Sequence, residues 1–121
     1  MEIDQNNNSV MSEIKNYLLL LFVFLAGGVS AQTIKVKGVV KDSVGVGLEM
    51  ANVIAFVKQT NEMADYAITD SKGRYSIGLD ANRVYELKIS YMGFDTETVV
   101  VDLIGENDEF VQNIALYETK D

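Results

Sequence analysis

Carboxylates are the abundant reactive groups of this chain. Of its 121 residues 18 are Asp or Glu, and none is His, Cys, Trp or Pro. Carboxylates at suitable spacing can ligate a hard cation or work as an acid–base pair. Asp42 stands beside a turn and could bind such a cation, although a turn aspartate ordinarily accepts hydrogen bonds from its own backbone. Asp70-Ser71-Lys72-Gly73 has the outline of a calcium loop but lacks the repeated acidic positions and the distal Glu. Glu106, Asp108 and Glu109 fall on one segment, where a solvated loop is the simpler reading. Acids scattered this widely single out no pair for glycoside hydrolysis. The lack of His and Cys removes Ser-His-Asp and Cys-His triads, a His general base, a His/Cys zinc site, a haem thiolate and any disulfide. Six tyrosines raise the question of a sugar-stacking platform. Tyr75, Tyr85 and Tyr91 share the apolar parity of their segments and are expected in the core. Tyr66 also follows its segment's apolar parity, and Tyr117 closes the last strand; these two are the weak candidates for exposed aromatic contacts.

The net charge is −8, which argues against a nucleic-acid partner, because phosphate binding needs a basic face. The composition changes along the chain. Residues 1–10 are polar, and Met11 then opens a segment with Lys15, an unbroken apolar run from Leu18 to Ala26, and the small residues Val29-Ser30-Ala31. This is the pattern of a secretory signal peptide over residues 11–31, cleaved after Ala31, with residues 1–10 as a start-site extension. A transmembrane span needs about 20 apolar residues, and Tyr17 to Ala31 offers only 15. No Cys follows the apolar run, so a lipoprotein anchor is excluded. The segment from Gln32 onward holds 9 basic and 15 acidic side chains, net −6. Without cysteine it must be held by packing alone.

From Ile34 on, the hydrophobic period is mostly two. Thr33 to Lys41 reads as a strand with one buried face, and residues 42–47 as a turn-rich loop. Ala51 to Val57 is apolar except for Asn52, as in a central strand covered on both faces. Tyr66 and Ile68 alternate with Asp65, Ala67 and Thr69. Asp70-Ser71-Lys72-Gly73 reads as a hairpin turn. Tyr75, Ile77 and Leu79 give the cleanest alternation, followed by Tyr85, Leu87, Ile89 and Tyr91. Asp95 to Leu103 and Phe110 to Tyr117 complete seven short strands, which predicts an all-β sandwich.

Three motifs stand in order along these strands. Val36-Lys37-Gly38-Val39-Val40-Lys41-Asp42, with Gly45, Leu48 and Ala51-Asn52-Val53, is the first. Thr69-Asp70-Ser71-Lys72-Gly73-Arg74-Tyr75-Ser76-Ile77 is the second, and Leu87-Lys88-Ile89-Ser90-Tyr91-Met92-Gly93-Phe94 the third. Together they resemble a carboxypeptidase regulatory-like domain over residues 32–117, with residues 118–121 as a polar tail or a lead-in to a further domain. Gly47 stands where that family usually has Pro, which bears on loop entropy and not on the fold. The resemblance implies a seven-stranded, transthyretin-like (prealbumin-like) sandwich that is not catalytic and holds no cofactor. In Bacteroidetes-type bacteria such a domain follows the signal peptide of TonB-dependent outer-membrane receptors, on the periplasmic side before plug and barrel.

The expected function is therefore a non-enzymatic exported module in nutrient uptake, either the N-terminal piece of such a receptor or a stand-alone module. Its partners would be the barrel or plug and a surface glycan-binding protein. The alternative is a carbohydrate- or protein-binding module at the cell surface. Each motif residue has a scaffold role. Gly38 implies a close backbone approach or a bulge. Asp70 bonds the turn backbone, and Gly73 supplies a left-handed residue. Tyr75 packs inward. Gly93 lets the chain swing between Tyr91 and Phe94, where a side chain would meet the aromatic pair or the backbone.

Overall fold

A computed structural model describes residues 12–21 and 32–120. The chain divides into two units, Met1–Ala31 and Gln32–Asp121. In the first, residues 12–21 form a helix with exposed side chains. The expected cleavage site, Val29-Ser30-Ala31, and most of the apolar run lie outside the described residues. No helix among the described residues is long and apolar enough to cross a membrane.

The second unit is an all-β sandwich. Its strands are β1 (Thr33–Lys41), β2 (Asn52–Val57), β3 (Met63–Ile68), β4 (Arg74–Asp80), β5 (Val84–Ser90), β6 (Glu97–Asp102), β7 (Glu109–Val111) and β8 (Ile114–Ala115). One sheet has the order β4-β1-β7, with β8 also on β1; the other has the order β3-β2-β5-β6. β1 runs antiparallel to β4 and parallel to β7 and β8. The alternation seen in the sequence places Ile34, Val36 and Val40 inside from β1. Tyr75, Ile77 and Leu79 follow from β4, and Tyr85, Leu87 and Ile89 from β5. Leu48, Ala51, Val53, Ala55, Val57, Val101, Leu103, Ile114 and Leu116 complete the core. Burying each large aliphatic side chain contributes roughly 1.5–3 kcal/mol, and this packing holds together a sandwich that has no cysteine with which to form disulfides.

Two strand readings need correction. Phe110 to Tyr117, expected as one strand, is divided into β7 and β8. Gln112 N–H donates to the Lys37 carbonyl (2.8 Å), and the Gln112 carbonyl accepts from the Tyr75 hydroxyl. Val39 N–H donates to Asn113 Oδ1 (3.0 Å) in place of a backbone carbonyl. A β-carbon at Gly38 would overlap the Gln112 carbonyl, so this glycine is what admits the break. The second correction concerns Asp70 to Gly73. The turn closes as expected, with Gly73 N–H on the Asp70 carbonyl (2.9 Å) and Asp70 N–H on the Arg74 carbonyl (3.0 Å). It does not form a paired hairpin, however: β3 pairs with β2 and β4 with β1. The turn carries the chain from one sheet to the other.

A candidate docking face

The acidic residues of the motifs are spent on loop geometry. Asp42 Oδ1 accepts from the N–H groups of Val44 (3.0 Å) and Val46 (2.9 Å). Asp70 Oδ1 accepts from Lys72 N–H (3.0 Å) and Arg74 N–H (2.9 Å), and Oδ2 from Arg74 Nε (2.9 Å). The Arg74 backbone N–H, chief among these donors, holds the Asp70 carboxyl below its usual range. Glu109 pairs with Lys37 at 3.0 Å, and this ammonium lowers its carboxyl in the same way. Among the described residues no three His, Cys, Asp or Glu side chains are grouped so as to hold a metal ion.

Tyr75 and Tyr85 are core residues as expected, and burial pushes the Tyr75 hydroxyl well above its usual range. Tyr91 is only half-buried and meets Phe94 edge-to-face, ring centroids 5.4 Å apart. Between them Gly93 takes φ +86°, and Phe94 N–H closes the turn on the Tyr91 carbonyl at 3.0 Å. A β-carbon at Gly93 would meet no atom within 4 Å, so the expected clash with the aromatic pair is not there; only the backbone angle calls for glycine. The acidic loop is solvated as expected, yet its backbone is constrained. Asp108 sits at φ +53° and its carbonyl accepts from Lys35 N–H (2.9 Å).

The surface feature that the alternation does not explain is the outer face of the β3-β2-β5-β6 sheet. Because Val53, Ala55 and Val57 point into the core, Ile54 and Phe56 point out. Their cross-strand partners are Tyr66 and Met63 on β3, and Lys88 and Glu86 on β5. Glu86 in turn faces Val100 on β6. Tyr66 is 63% exposed, Met63 62%, Ile68 53% and Val100 49%; Ile54, Phe56 and Val84 are half-buried. The Lys88 ammonium lies 5.9 Å from the centre of the Phe56 ring, a cation–π distance. An antiparallel sheet with one solvated face ordinarily carries polar residues there. Exposed apolar side chains grouped on one sheet face make it a candidate interaction surface. It can bury area against a partner or stack an aromatic ring; it brings together no nucleophile and base.

The sequence reading missed this face. It placed Tyr66 and Ile68 on an apolar parity, which is correct, but in register that parity faces outward, and Ala67 is the residue that packs on the core. Of the two aromatic candidates, Tyr66 belongs to the face. Tyr117, also exposed, lies at the opposite edge, where its carbonyl accepts from Asp95 N–H (2.9 Å). One signal was present: Ala51 to Val57 is apolar on both parities, as though a second cover existed.

Comparison with known proteins agrees with this architecture. No curated protein matches the chain. Among solved structures, catechol 1,2-dioxygenase from Acinetobacter sp. ADP1 superposes with a TM-score of 0.61 at 14% identity, covering 76% of this chain and 54% of that one. The 3-chlorocatechol 1,2-dioxygenase from Rhodococcus opacus 1CP gives 0.58 at 12%, covering 74% and 61%. The Bacillus anthracis TIE protein gives 0.62 at 15%, covering 73% and 18%. The chain thus spans little more than half the length of the dioxygenases, and at these identities the likeness is one of fold. The model of the carboxypeptidase regulatory-like domain matches residues 35–117, from the first strand through the last, and the chain belongs to that family.

Proposed function

We propose that this chain is a non-enzymatic, exported docking module, acting as the N-terminal periplasmic domain of a TonB-dependent outer-membrane receptor for nutrient uptake. The observation that carries the proposal is the apolar outer face of the β3-β2-β5-β6 sheet, which can bury area against a protein partner. Family membership and the signal-peptide pattern of residues 11–31 support the setting. The plug or barrel of the receptor is the partner in this reading. A photo-crosslinking residue placed at Tyr66 in cells that export the chain tests it. Crosslinks to an outer-membrane barrel protein, lost when Met63 and Val100 are changed to Ser, are the expected result. A chain that stays in the cytoplasm, or crosslinks unaffected by those changes, counts against it. The reading frame downstream gives an independent check, since a plug and barrel should follow.

A second reading rests on Tyr66 alone. An exposed ring on a flat sheet face can stack on a sugar, which makes the chain a carbohydrate-binding module at the cell surface. Binding on a glycan array that is lost in Tyr66→Ala favours this reading; an array without binding removes it.

A further inference from the structure

The sandwich has four sheet edges, and three of them are closed to further pairing. β3 carries a bulge: Ala55 pairs with Asp65 and Phe56 with Met63, so Ala64 is skipped. β4 is blunted by the Asp65 carboxylate, which accepts from Gly78 N–H at 3.0 Å. The edge formed by β7 and β8 is broken at Gln112 and Asn113. These are devices by which proteins prevent unwanted strand pairing. β6 has none of them. Its register with β5 is unbroken from Glu97 to Asp102, its centre is Val99-Val100-Val101, and it contains no Pro and no Lys or Arg.

The backbone orientation follows from its bonds. Leu103 N–H donates to the Arg83 carbonyl on the β5 side (3.0 Å). Alternation then turns Val101, Val99 and Glu97 toward β5, and the backbone groups of Thr98, Val100 and Asp102 outward. Among the described residues no strand pairs with that outer side.

We propose that the outer edge of β6 is a strand-addition site. It takes an extended partner segment of β-branched apolar residues flanked by lysine or arginine. Main-chain hydrogen bonds to Thr98 and Val100 supply affinity, and side chains in register supply selectivity. The charge fixes the partner's chemistry. Residues 95–109 contain six acids and no base. A second copy would bring the same carboxylates to the seam, and like charges across strands destabilise the pair. A basic segment is complementary. This inference does not depend on the receptor setting, because the edge is open whichever partner the apolar face meets.

Amide hydrogen exchange on the full 121-residue chain tests it, with a synthetic peptide alternating valine and lysine and its valine–glutamate counterpart as probes. The valine–lysine peptide should slow exchange at Thr98 and Val100 by about tenfold or more, and the glutamate peptide should not. Val100→Pro removes an outward donor at an edge position where proline is tolerated, so it should keep the fold and lose the effect. The proposal is overturned if the valine–lysine peptide leaves both amides unchanged, or if the glutamate peptide protects them equally. Protection that rises with chain concentration alone, the signature of self-pairing, also overturns it. Should Val100→Pro not fold, the wild-type exchange pattern with the two peptides still decides.

Discussion

Glycines at positive φ are not equivalent in this chain. A β-carbon at Gly73, where φ is +79°, would lie 2.5 Å from the Val40 carbonyl oxygen and 2.8 Å from the Leu48 nitrogen. Both are backbone atoms inside the first motif and have nowhere to go. Gly93, at φ +86°, faces open space. Gly93→Val should therefore cost only the backbone strain, about 1–3 kcal/mol. Gly73→Val adds steric overlap and should exceed about 4 kcal/mol, a large share of a total stability on the order of 5–15 kcal/mol. Thermal melts of the two variants check the order; equal melting temperatures would refute it. Asp108→Asn should stay within about 0.5 kcal/mol of wild type, because Asn adopts positive φ readily. Asp70 gives a pH signature. Its carboxyl is lowered in the folded state from the ordinary 3.8, so the unfolded chain takes up a proton first. Its contribution is complete above the ordinary value and fades as the pH falls through the lowered folded one. Asp70→Asn should thus melt below wild type at neutral pH, with the gap narrowing in acid. A gap that widens in acid would be incompatible with this assignment.

At the scale of elements, the buried Thr69, just after β3, ties two loops together. Its hydroxyl donates to the Leu48 carbonyl and accepts from Ala51 N–H at 2.8 Å. This pins the loop before β2 to the turn that crosses between sheets. Thr69→Val keeps the shape and leaves the Ala51 donor without a partner inside the core. The expected loss is about 1–3 kcal/mol, or roughly 4–8 °C in melting temperature for each kcal/mol, and a melt within 2 °C or so of wild type would contradict the tie. Elements of this kind show what the sequence made legible. β1 begins and ends where alternation places it, and β4 and β5 bury the parity they display, because one-sided burial writes itself as period two. Register is not written there. Tyr66 and Ile68 alternate with their neighbours as Tyr75 and Ile77 do, yet pairing with β2 turns them to the outside. The break at Gln112 and Asn113 was unreadable for a related reason: its cause, Gly38, is remote in sequence. The candidate face depended on register too, and only the doubly apolar run of β2 hinted at it.

At the scale of the whole sandwich, the outer faces differ in character. The β4-β1-β7 sheet turns Lys35, Lys37 and Arg74 outward around a shallow groove of about 480 Å³, whereas the opposite sheet turns out its apolar residues. What unites the two sheets on the side of β6 is the C-terminal segment. β8 pairs with β1, and Ile114 and Leu116 enter the core. Beyond them, Asp95 N–H donates to the Tyr117 carbonyl and Thr119 N–H to the Gly93 carbonyl, both at 2.9 Å. These bonds fasten the β5–β6 connection of one sheet to the last segment of the other. Deleting residues 114–121 removes two core aliphatic side chains, each worth about 2–5 kcal/mol when truncated, together with the inter-sheet bonds. The sum is comparable to the whole stability of a domain this size, about 5–15 kcal/mol. The shortened chain should lose its near-ultraviolet tyrosine signal and any cooperative melt. Deleting only Lys120 and Asp121 removes none of these contacts and should leave the melt unchanged. A cooperative transition retained by the longer deletion would mean that the β3-β2-β5-β6 sheet and β1 hold together unaided, and that the C-terminal segment is an accessory strand and not the closure of the fold.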